Sequence, residues 1–276
     1  MAYYTRAADY WAEFAAHGLK KKILFEGDSW FSIPDIANIP IQIDSTLDLS
    51  ILCTAAPGDT LEDLSEGSQF KELESLVKDD KFGQRWDALV FSAGGNDVIG
   101  PEIRGMLKKP ASPSADPKDY LDAAAMSKTF ALVRKRLSAI RKLRDKSKVN
   151  KKTPILIHTY NYVTPRNVAH KVFAWKVSGP WILPHMMALG ITDCAIQQAI
   201  IVELLDRFHD LLKSIEKEAS SNFHVLDTRR ALKPVACAER DTSFELWRDE
   251  IHPSSKGFLQ ITRKVVIPRL KDIGVV

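Results

Sequence analysis

The chain has 276 residues, 45% hydrophobic and 27% charged, a balance that excludes disordered and fibrous classes and allows a sizeable core. Lys and Arg outnumber Asp and Glu by 39 − 35 = 4, for a pI near 8.8. The densest basic stretch, "RKRLSAIRKLRDKSKVNKK", carries no interleaved aromatics and reads as a solvated helix face, so no nucleic-acid partner is expected.

The N-terminus, "MAYYTRAADYWAEFAAHGLKKK", lacks an apolar h-region and a small-residue cleavage site. It predicts an amphipathic helix over about 4–18 rather than a signal peptide. Five short apolar runs follow: "KILFEG", "LSILCTAAPGD", "DALVFSAGGND", "TPILIHTYNY" and "NFHVLDTR". Each is continuous rather than alternating, as expected of strands covered on both faces. Helical patterns separate them: "TLEDLSEGSQFKELESLV", "MSKTFALVRKRLSAIRKLRDK" and "CAIQQAIIVELLDRFHDLLKSIEKEA". A last helix, "SSKGFLQITRKVVIPRL", should end or kink at Pro268. Alternating strand and helix predicts right-handed βαβ units in one α/β three-layer sandwich over 1–276. "KKPASPSADPKD" (108–119) is the expected flexible loop. An excursion over about 160–190 interrupts the alternation, where a βα loop of about 2–6 residues is usual. It is either a ligand-site wall or a small satellite core.

Cys53, Cys194 and Cys237 are an odd, scattered set, which argues against a disulfide framework and shows no zinc spacing. No segment has the apolar length of a membrane span, so no stable membrane insertion is expected. The resulting expectation is a reduced, cytoplasmic protein.

In a doubly wound sheet, residues at the carboxyl ends of strands converge on one edge. The first strand brings Asp28 and Ser29 there, the second Gly58 and Asp59, the third Gly95, Asn96 and Asp97. Before the last helix lies "WRDEIHPSSKG", with Asp249 and His252. Ser29 supplies a hydroxyl, His252 a base, and Asp249 a carboxylate that can select the tautomer of that base. The Ser29 and Gly58 amides and the Asn96 side chain can converge as oxyanion donors. Singly these are turn residues. Asp227 is the alternative acid, and Asp59 and Asp97 read as turn residues. His17, His158, His170, His185, His209 and His224 read as surface or satisfied core histidines; His158 and His185 flank the proposed site.

With "GDSW" at 27–30, "PGD" at 57–59, "GGND" at 94–97 and "DEIHP" at 249–253, the chain resembles the SGNH hydrolases, also called GDSL esterases and lipases. The resemblance runs nearly the whole length, in order. It departs at Trp30, where the common motif has leucine or isoleucine, and in the length of the excursion. The resemblance implies a flavodoxin-like sandwich with five parallel strands. It implies Ser29 as nucleophile, His252 as base, Asp249 as its partner, and Ser29, Gly58 and Asn96 as the oxyanion hole. It implies an acyl-enzyme mechanism with no metal or organic cofactor. Trp30, Phe31, Trp175 and Trp181 are the pocket candidates. Their apolar character points to a small-molecule or lipid ester, with lipase or lysophospholipase character. A carbohydrate O-acetylesterase and a non-catalytic α/β binding module are the alternatives.

Overall fold

The structure, a computed structural model, describes residues 2–13, 20–78, 85–172, 175–242 and 244–276. Six parallel strands form the main sheet in the order β1-β3-β2-β4-β5-β8: Ala2–Tyr4 (β1), Lys22–Gly27 (β2), Ser50–Cys53 (β3), Ala88–Ser92 (β4), Ile155–His158 (β5) and Phe223–Leu226 (β8). Two further strands, His170–Val172 (β6) and Trp175–Ser178 (β7), pair antiparallel within the excursion. The central strands β2, β3, β4 and β5 are almost wholly buried, which explains their unbroken apolar runs.

The helices, in chain order, are Ala7–Ala12 (α1), Ser29–Ser32 (α2), Ile39–Asp44 (α3), Leu61–Ser65 (α4), Gly67–Lys78 (α5), Gly95–Val98 (α6), Ala123–Lys146 (α7), Leu183–Ala188 (α8), Cys194–Glu216 (α9), Ser255–Ile261 (α10) and Ile267–Asp272 (α11). α4, α5, α7 and α9 pack together in one layer, and α3 packs with α10 in the other. The molecule is thus an α/β sandwich. No helix among the described residues is long and apolar enough to cross a membrane.

Four expectations change. The sheet has six strands rather than five, because Ala2–Tyr4 pairs with β3 instead of starting a helix. Only α1 follows it, and the remainder of the expected helix, with His17, lies outside the described residues. The helix after β3 is two helices, broken at Glu66–Gly67, where Gly67 takes φ +85. Of the two outcomes expected at Pro268, an end does not occur: the last helix runs on through it. One wide π turn, Thr262–Val266, precedes it and takes in Lys264, the residue whose carbonyl a proline ring at 268 would otherwise crowd.

The fourth change is chemical. Cys194, the first residue of α9, is bonded to Cys237 in the loop after β8, with an S–S distance of 2.03 Å. Cysteine usage therefore no longer argues for a reducing compartment. Cys53 is a buried free thiol. Peptide mapping without reduction should recover the Cys194 and Cys237 peptides linked, and alkylation after unfolding should mark Cys53 alone. Recovery of all three as free thiols would refute the pairing.

Candidate active site

β2 and β4 stay paired to their carboxyl ends, where Gly27 lies opposite Ser92 with φ +140. A Cβ on Gly27 would sit 2.0 Å from the Ser92 carbonyl oxygen, so only glycine fits there. The Asp28 amide then bonds Ser92 O at 2.9 Å, and the chain turns into α2. Asp28 caps that turn by accepting from the Trp30 amide at 3.0 Å. This close turn sets Ser29 at the sheet edge between β2 and β4, where the strand order reverses.

Beneath Ser29 lies a buried polar relay. The Asp28 carboxylate accepts from the Ser92 and Tyr160 hydroxyls. The Ser92 proton being committed to Asp28, its oxygen accepts from His158 Nε2 at 2.7 Å. His158 Nδ1 in turn accepts from the Tyr160 amide at 3.2 Å, which fixes the tautomer. Burial pushes His158 down to about 3, so the ring is neutral. Burial pushes the Asp28 carboxyl up to about 6, against the hydrogen bonds from Ser92 and Tyr160. His158 thus supports the turn and does not face the cavity. His185 lies on α8 and does not line the cavity onto which Ser29 opens.

Ser29 Oγ lies 2.7 Å from His252 Nε2. His252 Nδ1 lies 2.9 and 2.8 Å from the two carboxylate oxygens of Asp249. Asp249 Oδ1 also accepts from the Ile251 and His252 amides at 3.0 and 2.8 Å, a local turn that the three-residue spacing makes natural. Burial alone would raise the Asp249 carboxyl. The neighbouring His252 charge and the hydrogen bonds from His170 and His252 outweigh that and hold it well below the usual carboxylate range. Asp227 is elsewhere: it is half-exposed and paired with Arg229 at 2.8 Å.

Ser29 and His252 open onto a cavity of about 290 Å³ that Gly58 and Asn96 also line. Gly58 takes φ +92, and no atom crowds the place of a Cβ, so its glycine serves the turn. Asn96 Nδ2 donates to Asp59 O at 2.8 Å, which orients the amide beside the cavity that it lines. Asp97 accepts from the Leu61 amide at 2.9 Å and meets Arg136 at 3.4 Å, tying the loop after β3 to that after β4.

The pocket candidates divide. Trp181 lines the cavity and meets the His252 ring edge-on at 5.1 Å between centroids. Trp30 and Phe31 do not line it. The first turn of α2 sends them inward, where Phe31 is wholly buried and Trp30 stacks on His158 at 5.0 Å. The Trp175 side chain lies outside what the structure describes. The apolar walls come instead from Ile33, Pro34, Val172 and Ile251.

Three residues that local sequence patterns did not mark bind the excursion to the 249–252 loop. His170 Nδ1 lies 3.0 Å from Asp249 Oδ2. The buried Arg166 guanidinium donates to the Asp249 carbonyl through Nε at 3.1 Å and Nη2 at 2.5 Å. Glu250 accepts from four amides, those of Arg166, Trp181, Ile182 and Leu183. Burial pushes its carboxyl up to about 7 despite them. His170, Asp249 and His252 also bring metal-ligand atoms within 4.8 Å of one another, but those atoms are engaged with each other by hydrogen bonds.

No protein-family model and no curated protein matches the sequence. Solved structures do match. Phospholipase A1 from Streptomyces albidoflavus NA297 aligns over 92% of this chain and 99% of its own, at 15% identity and TM-score 0.52. A provisionally assigned platelet activating factor from Streptococcus pneumonia aligns over 96% and 89%, at 17% identity and TM-score 0.51. A provisionally assigned SGNH hydrolase from Slackia heliotrinireducens aligns over 88% and 96%, at 14% identity and TM-score 0.44. The parallel sheet between two helical layers is shared with the phospholipase A1 structure, and this chain has that fold.

Proposed function

We propose that the protein is a carboxylic-ester hydrolase that works through an acyl-enzyme on Ser29. The carrying observation is the unbroken line Ser29 Oγ, His252 Nε2, His252 Nδ1, Asp249, with steps of 2.7 and 2.8 Å, ending at a cavity. Ser29 Oγ attacks the ester carbonyl as His252 Nε2 takes its proton, and Asp249 stabilises the imidazolium. The oxyanion is met by the Ser29 and Gly58 amides and the Asn96 amide. The intermediate collapses, the alcohol leaves with the proton from His252, and the Ser29 acyl ester remains. Water, deprotonated by the same nitrogen, repeats the sequence and releases the acid.

The test is reaction with a fluorophosphonate. The Ser29 oxygen should form the P–O bond as fluoride leaves, giving one adduct on the Ser29 peptide by mass spectrometry. Folded protein that stays unlabelled would refute the reading and leave a non-catalytic α/β module.

The substrate reading is a hydrophobic acyl ester of modest length. The walls are apolar, and about 290 Å³ lies at the small end of ligand pockets. Each buried methylene is worth up to about 0.8 kcal/mol, of which only part is realised at an open cavity. On p-nitrophenyl esters, kcat/KM should rise about tenfold from acetate to octanoate, then fall at palmitate. Acetate turning over fastest would transfer the assignment to an O-acetylesterase.

A further inference from the structure

We propose that His170 is a positioning residue of this site, holding the Asp249 carboxylate in the orientation that serves His252. The proposal rests on the hydrolase reading above. Asp249 has two oxygens with different support. Oδ1 is fixed by the Ile251 and His252 amides at 3.0 and 2.8 Å. Among the described residues Oδ2 has no backbone donor; it accepts from His252 Nδ1 at 2.8 Å and from His170 Nδ1 at 3.0 Å. Without His170, the one donor left to Oδ2 among the described residues would be the imidazole that Oδ2 is meant to steady.

The tautomer follows from the chemistry. An ionised carboxylate only accepts, so Nδ1 of His170 carries the proton. Its Nε2 is buried and has no hydrogen-bond partner among the described residues. A bare lone pair suits that position better than an unpaired N–H. His170, Asp249 and His252 expose 4%, 0% and 3% of their side chains, so water does not compete for these bonds. The two imidazoles meet edge to face at 5.9 Å between centroids, both aimed at one carboxylate.

His170 begins β6, and that strand is itself held to the loop it serves. Arg248 Nη2 donates to Lys171 O at 2.8 Å, and the Glu250 amide donates to Val168 O at 3.1 Å. The hairpin is therefore a fixed part of the reacting apparatus. A lid that swung away would take the second donor of Asp249 with it.

The experiment compares wild type, His170→Phe and His170→Asn by fluorophosphonate inactivation rate and by kcat and KM on a p-nitrophenyl ester. Phenylalanine keeps the ring and removes the donor; asparagine places an N–H near the position of Nδ1. The phenylalanine variant should lose about tenfold in both kcat and inactivation rate at unchanged KM, and the asparagine variant should recover most of it. Equal rates for wild type and His170→Phe, or equal losses in both variants, would overturn the proposal, as would a rise in KM at constant kcat. Should His170→Phe not fold, long-range proton–nitrogen spectra of histidine-labelled wild type decide. A proton on Nδ1 of His170, assigned by its loss in His170→Asn, supports the proposal, and a proton on Nε2 overturns it. Wild type that takes no label at all removes the hydrolase reading and this inference together; labelled wild type with an unaffected phenylalanine variant removes this inference alone.

Discussion

Asp249→Asn should lower kcat by about 10⁴-fold in a protein that still folds. The size follows from the surroundings of the carboxylate. Its Oδ1 position faces two fixed N–H donors, from Ile251 and His252, so the asparagine oxygen must sit there. The NH₂ group is then forced toward Nδ1 of both His252 and His170. Two donors cannot face each other, so both rings move their proton to Nε2. On His252 that nitrogen now donates to Ser29 Oγ, where it had been poised to accept, and the serine has no base. The amide cannot flip to escape, because the opposite orientation aims NH₂ at the backbone donors. Measurement is kcat at saturating p-nitrophenyl ester, with the melting curve as control. A loss under about 100-fold would mean that Asp249 does not set the tautomer. Asp227→Asn is the matched control: that carboxylate is engaged by Arg229 on the surface, and its removal should leave kcat within about twofold.

The contrast between these two aspartates shows what the chain reveals without a structure. Strands β2 to β5 were readable because burial on both faces leaves no polar alternation to confuse the period. The placement of Ser29, Gly58 and Asn96 at one cavity was readable because each lies within about five residues of the end of such a strand, and topology does the rest. β1 was not: three residues on a sheet edge carry too little pattern, and its tyrosines fit a helix face equally well. Trp30 and Phe31 misled because adjacency to Ser29 says nothing about direction, and one turn of α2 sends them into the core. The Cys194–Cys237 bond and the His170–Asp249 contact span 43 and 79 residues and depend on how long loops fold back. No local spacing encodes either. The excursion carried aromatics that drew attention, whereas the groups that tie it to the site include His170, Arg166 and, from another segment, Arg248 and Glu250.

That glutamate carries the largest expected effect on stability. Glu250→Gln, measured at pH 8, should lower the melting midpoint by about 5–15 °C. At that pH the carboxyl, pushed up to about 7, is ionised, and both oxygens are acceptors. Oε1 serves the Arg166 and Leu183 amides at 3.2 and 2.8 Å; Oε2 serves those of Trp181 and Ile182, the latter at 2.8 Å. Glutamine has one oxygen, so either orientation turns NH₂ toward two buried N–H groups. Each donor left without an acceptor costs about 1–3 kcal/mol, and for a chain of this size each kcal/mol moves the midpoint by about 2–4 °C. The functional consequence differs from that of Asp249→Asn. Glu250 fixes the segment that presents Trp181 to His252, so the loss should fall on the cavity wall. KM for octanoate should rise more than KM for acetate, because only the longer chain uses that wall, while kcat on acetate should change less. A midpoint within about 2 °C of wild type would show that the four amides find other acceptors, and that the excursion is held by its apolar contacts instead.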